Sequence, residues 1–172
     1  MTVSWNKTTC YLVFAFIVVN ISACGFHLRK QVAIPQSLTT ISLISDAKSN
    51  TFNTSLRIAL TRAGITVVSP GPAGDNVLTL TVNALTHSDT VLARNNLNDV
   101  TQLERRVSSS YFVSQADGTS LYGPRTVSTT KILANQNAEA STKAAYNKAK
   151  NAQMSKNLAN QIIYDLGSAP LK

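Results

Sequence analysis

The chain predicts an α+β fold: a single domain in which a mixed four- or five-stranded sheet is covered on one face by two helices. Three observations carry that prediction. Between residues 40 and 69, an apolar β-branched run, a helical-period segment and a second β-branched run follow one another. From Leu78 to Ile132 the pattern changes to long two-residue alternation interrupted by turn residues. The chain then closes on an alanine-rich segment with Ala145, Ala149, Ala152, Ala159, Ile162 and Leu166 in one helical stripe.

Each element has a local cause. Thr40 to Ile44 is β-branched and apolar and reads as the first strand. Residues 45–50 are a polar loop rich in capping side chains. Phe52, Leu56, Leu60 and Ala63 then recur at helical spacing with Ala59 on the same side, and Gly64 stops that helix in the C′ role. Ile65 to Ser69 is again strand-like, and strand–helix–strand over about 30 residues predicts a crossover joining two parallel strands. Pro70 to Gly74 breaks the chain. Leu78, Leu80, Val82 and Ala84 next point one way, and Thr79, Thr81 and Asn83 the other. Leu85 violates the alternation, which predicts a bulge or twist there.

Residues 93–98 read as a loop, followed by a long strand from Gln102 to Ser114 with Val107, Ser109, Tyr111 and Val113 on one face. Arg105 and Arg106 fall on opposite faces of it, so one of them must meet a covered surface or a partner. Asp117-Gly118 is a hairpin turn. The return strand covers Thr119 to Ile132, with Pro124 marking an edge or irregular position. In the final helix Lys143, Lys148, Lys150 and Lys156 spread around the stripe.

The N-terminus defines the compartment. Lys7 is the one charge before an apolar stretch from Tyr11 to Val19, which is about half the ~20 residues a membrane-spanning helix needs. It reads as the h-region of a signal peptide. The run Ile21-Ser22-Ala23-Cys24 at its end resembles a bacterial lipobox, in which the cysteine is acylated and becomes the mature N-terminus. An ordinary signal peptide with a chance cysteine is the alternative. The expected organisation is a lipoprotein signal peptide over 1–23, an acylated tether over 24–37 and an α/β domain over 38–172. Cys10 leaves with the signal, so the mature chain has no disulfide. Two or more acyl chains anchor a domain stably without spanning the membrane. Gly25, rather than the aspartate that commonly retains such proteins in the inner membrane, points to the outer membrane.

Composition narrows the partners. The chain carries 16 basic and 8 acidic side chains, a net charge of +8. Losing Lys7 leaves 15 against 8, or +7. The signal peptide directs this charge away from nucleic acid; the polyanions of a bacterial envelope are phospholipid headgroups and lipopolysaccharide. Ser, Thr, Asn and Gln total 59 residues against 24 charged ones. Many solvated positions are therefore neutral, as on a surface covered by a protein partner, or through simple drift in surface composition.

No catalytic constellation is present. His27 and His87 stand alone, the acidic residues are scattered singly, and no GxSxG, P-loop or GxGxxG occurs. Acid–base chemistry needs groups that converge, so neither an enzyme, a cofactor nor a metal site is expected. The candidate site is basic: Arg94, beside Asn95 and Asn96, and Lys131 at the end of the following hairpin. In an antiparallel meander these positions can share one end of the sheet and grip a phosphorylated lipid headgroup.

Cys24-Gly25-Phe26-His27-Leu28-Arg29 resembles the opening of mature members of the LptE family. Pro35 before the first strand, the helix from Leu56 to its Gly64 stop, the long strand, basic loop, hairpin and closing helix keep the family order. The resemblance implies a lipoprotein that plugs the lumen of an LptD-type outer-membrane β-barrel, assists its assembly and binds lipopolysaccharide during its insertion into the outer leaflet. It also implies a lipid-binding role for Arg94. A second family position, a lysine, falls at Asn135 here, with Lys131 four residues earlier as the substitute. The alternative is a free-standing periplasmic lipoprotein that binds phospholipid or another envelope glycolipid.

Membrane-extracted protein should have an intact mass that begins at acylated Cys24, and a chain starting at Gly25 should still fold. A mature species that retains Cys10, or carries an unmodified Cys24, would overturn the lipoprotein reading.

Overall fold

The computed structural model describes residues 34–69 and 77–171. The expected signal peptide, Cys24, His27, most of the expected tether and the Pro70–Gly74 breaker lie outside those residues. Chain contacts group Val32–Lys172 into one compact unit. A 3₁₀ turn, Gln36–Leu38, leads into strand β1 (Thr40–Ser45), helix α1 (Asn50–Arg62) and strand β2 (Thr66–Val68). Strands β3 (Leu78–Val82), β4 (Thr86–Arg94), β5 (Val100–Ser114) and β6 (Ser120–Leu133) follow, then helix α2 (Ala140–Gly167).

The expected α+β architecture is present, with six strands in an open mixed sheet. β1 lies between β2 and β3 and is parallel to both; β3, β4 and β6 are all antiparallel to β5. The strand count exceeds four or five because the alternating run after Leu78 is interrupted. β3 pairs with the C-terminal end of β5 through Thr79↔Ser114 to Val82↔Tyr111. β4 then takes the same edge of β5 from Thr86↔Ser108 to Arg94↔Val100. The irregular residues 83–85 between them are held by polar bonds. The Asn83 N–H donates to Ser110 O at 2.9 Å, the Asn83 side chain donates to Ser110 Oγ at 2.8 Å, and Ser109 Oγ donates to Asn83 O at 2.8 Å. The buried hydroxyl of Ser109 is thus satisfied by the bulge that Leu85 signals.

Helix α1 forms for the reasons its sequence offers. Ser49 caps it by accepting from Phe52 N, and Phe52, Leu56, Ala59 and Leu60 are its buried side. At its end Gly64 N bonds Thr61 O and Ile65 N bonds Leu60 O, both at 3.0 Å, with Gly64 at φ +85°. That is the double bond pattern of a Schellman stop. The core joins this face to Ile41 and Leu43 of β1, Leu78, Leu80 and Val82 of β3, and Val107, Tyr111 and Val113 of β5.

Helix α2 departs from its predicted stripe. Met154, Leu158, Ala159, Ile162, Ile163 and Leu166 are buried, whereas Ala145 and Ala149 are exposed. The reason is that the sheet under its first half offers polar groups. Tyr146 Oη accepts from Ala134 N at 3.3 Å, Asn147 exchanges two bonds with Gln136, and Asn151 accepts from Arg105 at 3.3 Å. Those contacts turn a polar side of the helix towards the sheet and leave the alanines outside.

The β5–β6 hairpin closes at Asp117-Gly118 as predicted, with Asp117 Oδ1 accepting from Thr119 N at 2.8 Å. β6 is an edge strand, and its register against β5 shifts between Tyr111↔Arg125 and Val113↔Tyr122. Gly123, beside Pro124, makes the shift possible. Its φ is +96°, and a Cβ there would lie 2.8 Å from Tyr111 O and 3.1 Å from Phe112 Cα. Gly123→Ala should therefore destabilise the domain by about 1–3 kcal/mol, read as a lower urea midpoint at unchanged m-value. A wild-type midpoint would show that the hairpin relaxes around the added carbon.

Candidate functional site

Arg94 is the last residue of β4, where the chain turns into β5. The turn is locked by its own side chains. Asn95 Oδ1 accepts from Leu97 N at 3.0 Å and from Asp99 N at 2.8 Å, and its amide donates to Asp99 Oδ2 at 3.0 Å. Asn98 adopts φ +67°, a left-handed conformation that asparagine tolerates. Arg94 Nη1 donates to Asn98 O at 2.7 Å. That single bond fixes the guanidinium at the mouth of the turn. Its remaining N–H groups have no hydrogen-bond partner among the described residues. Arg94 is exposed, so it can meet an anion without first losing an ion pair.

The loop after β6 comes to the same end of the sheet. Gln136 N donates to Thr101 O at 3.1 Å, one residue along β5 from the Val100 that pairs with Arg94. Gln136 is buried and joined to Ala134 O and Asn147. Asn135 sits in this loop with φ +56° and is exposed. The expected meeting of the two connections at one sheet end is therefore present, and Asn135 brings an amide to it.

Lys131 lies elsewhere. It is in register with Arg105 on the opposite edge of β5 from β4, five β5 residues along from the partner of Arg94. At ~3.3 Å per residue and ~4.8 Å per strand, the two backbones are roughly 19 Å apart. At that separation, with β5 between them, the two residues do not stand side by side at one end of the sheet.

Arg105 and Arg106 separate as their alternation requires. Arg105 turns to the helix-bearing face, where Nε and Nη2 grip both carboxylate oxygens of Asp89 at 2.7 and 2.5 Å. The hydrogen bonds from Arg105 hold the Asp89 carboxyl below its ordinary value despite some burial. Arg106 is exposed and donates to Ser128 Oγ at 3.1 Å. His87 is exposed on β4. No group of three or more His, Cys, Asp or Glu side chains able to hold a metal occurs among the described residues.

A second polar cluster, not foreseen from the sequence, ties α2 to the hairpin. Asp165 accepts from buried Tyr111 at 2.5 Å, from Tyr122 at 3.2 Å and from Arg125 at 3.2 and 3.1 Å. Its three partners come from 40 to 54 residues away, so no local spacing announces it. Burial raises the pKa of Tyr111 far above its ordinary value, aided by the bond to Asp165. For Asp165 itself, burial opposes ionisation, but the bonds from Arg125 and Tyr111 outweigh it and the pKa is lowered.

These features define a class of protein: a small α+β domain with a helix-covered sheet and an arginine-bearing turn at one sheet end. The same fold occurs in solved bacterial lipoproteins. A minor lipoprotein from Acinetobacter baumannii is 20% identical, with TM-score 0.65 over 78% of this chain and 94% of its own. An uncharacterized lipoprotein B from Nitrosomonas europaea is 19% identical, with TM-score 0.63 over 84% and 91%. The rare lipoprotein B of Shewanella oneidensis is 16% identical, with TM-score 0.62 over 75% and 94%. No curated protein sequence matches the chain. The sequence model of LptE, described as lipopolysaccharide-assembly, matches residues 38–166, and the chain belongs to that family.

Asp165→Asn should lower stability at pH 7 by about 1–3 kcal/mol. A depressed folded-state pKa contributes stability above the unfolded value and loses it as pH falls through the folded one. The gap between wild type and variant should therefore narrow below about pH 4. A gap that is constant with pH in urea titrations would show that the ionised carboxylate is not what holds α2.

Proposed function

We propose that the protein is a non-enzymatic lipoprotein subunit of the outer-membrane lipopolysaccharide translocon. In this reading it is anchored through acylated Cys24, plugs the lumen of an LptD-type β-barrel and assists its assembly. It binds lipopolysaccharide as that lipid enters the outer leaflet. The observation that carries the lipid part is Arg94: an exposed arginine on a self-locked turn, in a chain of the lipopolysaccharide-assembly family. The barrel part is supported by the sheet surface. On the face of β5 and β6 away from Val107 and Tyr111, Ser108, Ser110, Thr126, Ser128 and Thr130 lie in adjacent register. This hydroxyl-rich face, with Arg106 and Glu104 at one end, can sit against a partner with few charges to desolvate.

Arg94 is assigned the headgroup phosphate, which its fork can meet bidentately. Lys131 is assigned a weaker, separate contribution beside Arg105 rather than the second jaw of one site. Asn135, in place of the family lysine, supplies an uncharged donor at the Arg94 end. No cofactor takes part.

The test has two arms. Extraction from native outer membranes should recover the protein with a large β-barrel. Recovery without one would favour a free-standing periplasmic lipoprotein that binds phospholipid or another glycolipid. Arg94→Ala should weaken lipopolysaccharide binding about tenfold, as expected for a partly exposed charge-assisted contact. The loss should shrink at high salt, and Arg94→Lys should restore part of the binding. If Arg94→Asp and Lys131→Asp both bind like wild type with native circular dichroism, the headgroup site lies elsewhere.

A further inference from the structure

The β4–β5 turn that carries Arg94 also carries exposed apolar side chains that the headgroup contact does not use. Leu97 is 81% exposed, Leu92 47% and Val91 45%, all within three residues of Arg94 in sequence. Single exposed leucines are ordinary on a protein surface. Leu97 at the apex of a rigid turn, with Leu92 and Val91 on the adjoining end of β4, is a different matter. Asn95 and Arg94 lock it through four side-chain bonds, so Leu97 is held at its apex rather than left to fold back. Leu97 N–H is itself bonded to Asn95 Oδ1, and its side chain is 81% exposed at the apex.

We infer that this turn contacts both halves of an acylated, phosphorylated lipid: Arg94 meets a phosphate, and Leu97, with Leu92 and Val91, packs against the acyl chains. The inference rests on the lipopolysaccharide reading and adds acyl-chain contact to it. The chemistry of the occupant follows from the turn. A soluble anion would satisfy Arg94 and leave the leucines wet. A purely apolar partner would bury the guanidinium unpaired, at a large cost. A lipid with an anionic headgroup next to hydrocarbon matches the turn at both points. Asp99, the carboxylate of the turn, is engaged by the Asn95 amide, and its backbone N–H by Asn95 Oδ1. The net charge of +7 without Lys7 favours the approach of an anionic ligand.

The experiment compares intact lipopolysaccharide with the same material stripped of its acyl chains but retaining its phosphates. Both are titrated onto the purified mature protein and its Leu97→Asn, Leu97→Met and Arg94→Ala variants. Leu97→Asn should weaken binding of intact lipopolysaccharide by about tenfold, the scale of part-burying one leucine side chain, and leave binding of the deacylated form unchanged. Leu97→Met should bind intact lipopolysaccharide like wild type, since it retains the apolar volume. Arg94→Ala should weaken both ligands. Leu121→Asn, which alters an exposed leucine on β6, should change neither. Unfolding is not a concern at a side chain this exposed, and circular dichroism of each variant checks it. If Leu97→Asn binds intact lipopolysaccharide like wild type while Arg94→Ala does not, the acyl contact is overturned and the headgroup reading stands. If wild type binds neither ligand, the lipopolysaccharide reading fails as well.

Discussion

The sheet depends on β5 being paired along both edges for most of its 15 residues. β6 occupies one edge; β3 and β4 share the other end to end. The shared edge requires a joint, and the joint is polar: Asn83, Ser109 and Ser110 exchange bonds where the chain passes from one strand to the next. That closure sets where β4 begins, and the β4–β5 ladder with the Asp89–Arg105 pair carries its register on to the Arg94 turn. The turn lies at the far end of β5 from the apolar core, where Tyr111 and Val113 are buried.

Much of the domain was legible because the causes are local. The helix stop at Gly64, the alternation of β3 and β5, the turn at Asp117-Gly118 and the irregularity at Pro124 all arise from residues that act on their neighbours. The same holds for the opposed faces of Arg105 and Arg106. What sequence could not supply was distance. Lys131 stands at the end of a hairpin in sequence, yet β5 lies between it and Arg94. The polar side of α2 was also hidden, because Tyr146, Asn147 and Asn151 are drawn inward by Ala134, Gln136 and Arg105. A stripe of alanines predicts burial only when the opposing surface is apolar too. The Asn95 lock was the nearest miss: Asn-Asn-Leu-Asn-Asp is rich in side chains that bond their own backbone, and that signal points to a rigid turn rather than a loose one.

The two ends of the sheet are built from different interactions. Around β1, β3 and the C-terminal half of β5, leucine, isoleucine and valine interlock with α1 and the second half of α2. Around the start of β5, Arg105 with Asp89, Gln136 with Asn147 and Arg94 with Asn98 do most of the holding. Leu133 is buried there, but apart from the main apolar cluster. Such a division leaves cohesion to one end of the sheet and a polar, hydrogen-bonded surface to the other.

Uneven apolar burial also affects how the fold responds to heat. Exposing apolar surface raises the heat capacity on unfolding, and exposing polar surface lowers it. The distal end of the sheet, bonded through amides, hydroxyls and guanidinium groups, therefore adds enthalpy of unfolding but little heat capacity. A calorimetric scan of the domain should show a smaller heat-capacity step than the ~12–15 cal/mol/K per residue of ordinary globular chains. Its stability would then vary less steeply with temperature than that of an equally long domain with apolar packing throughout.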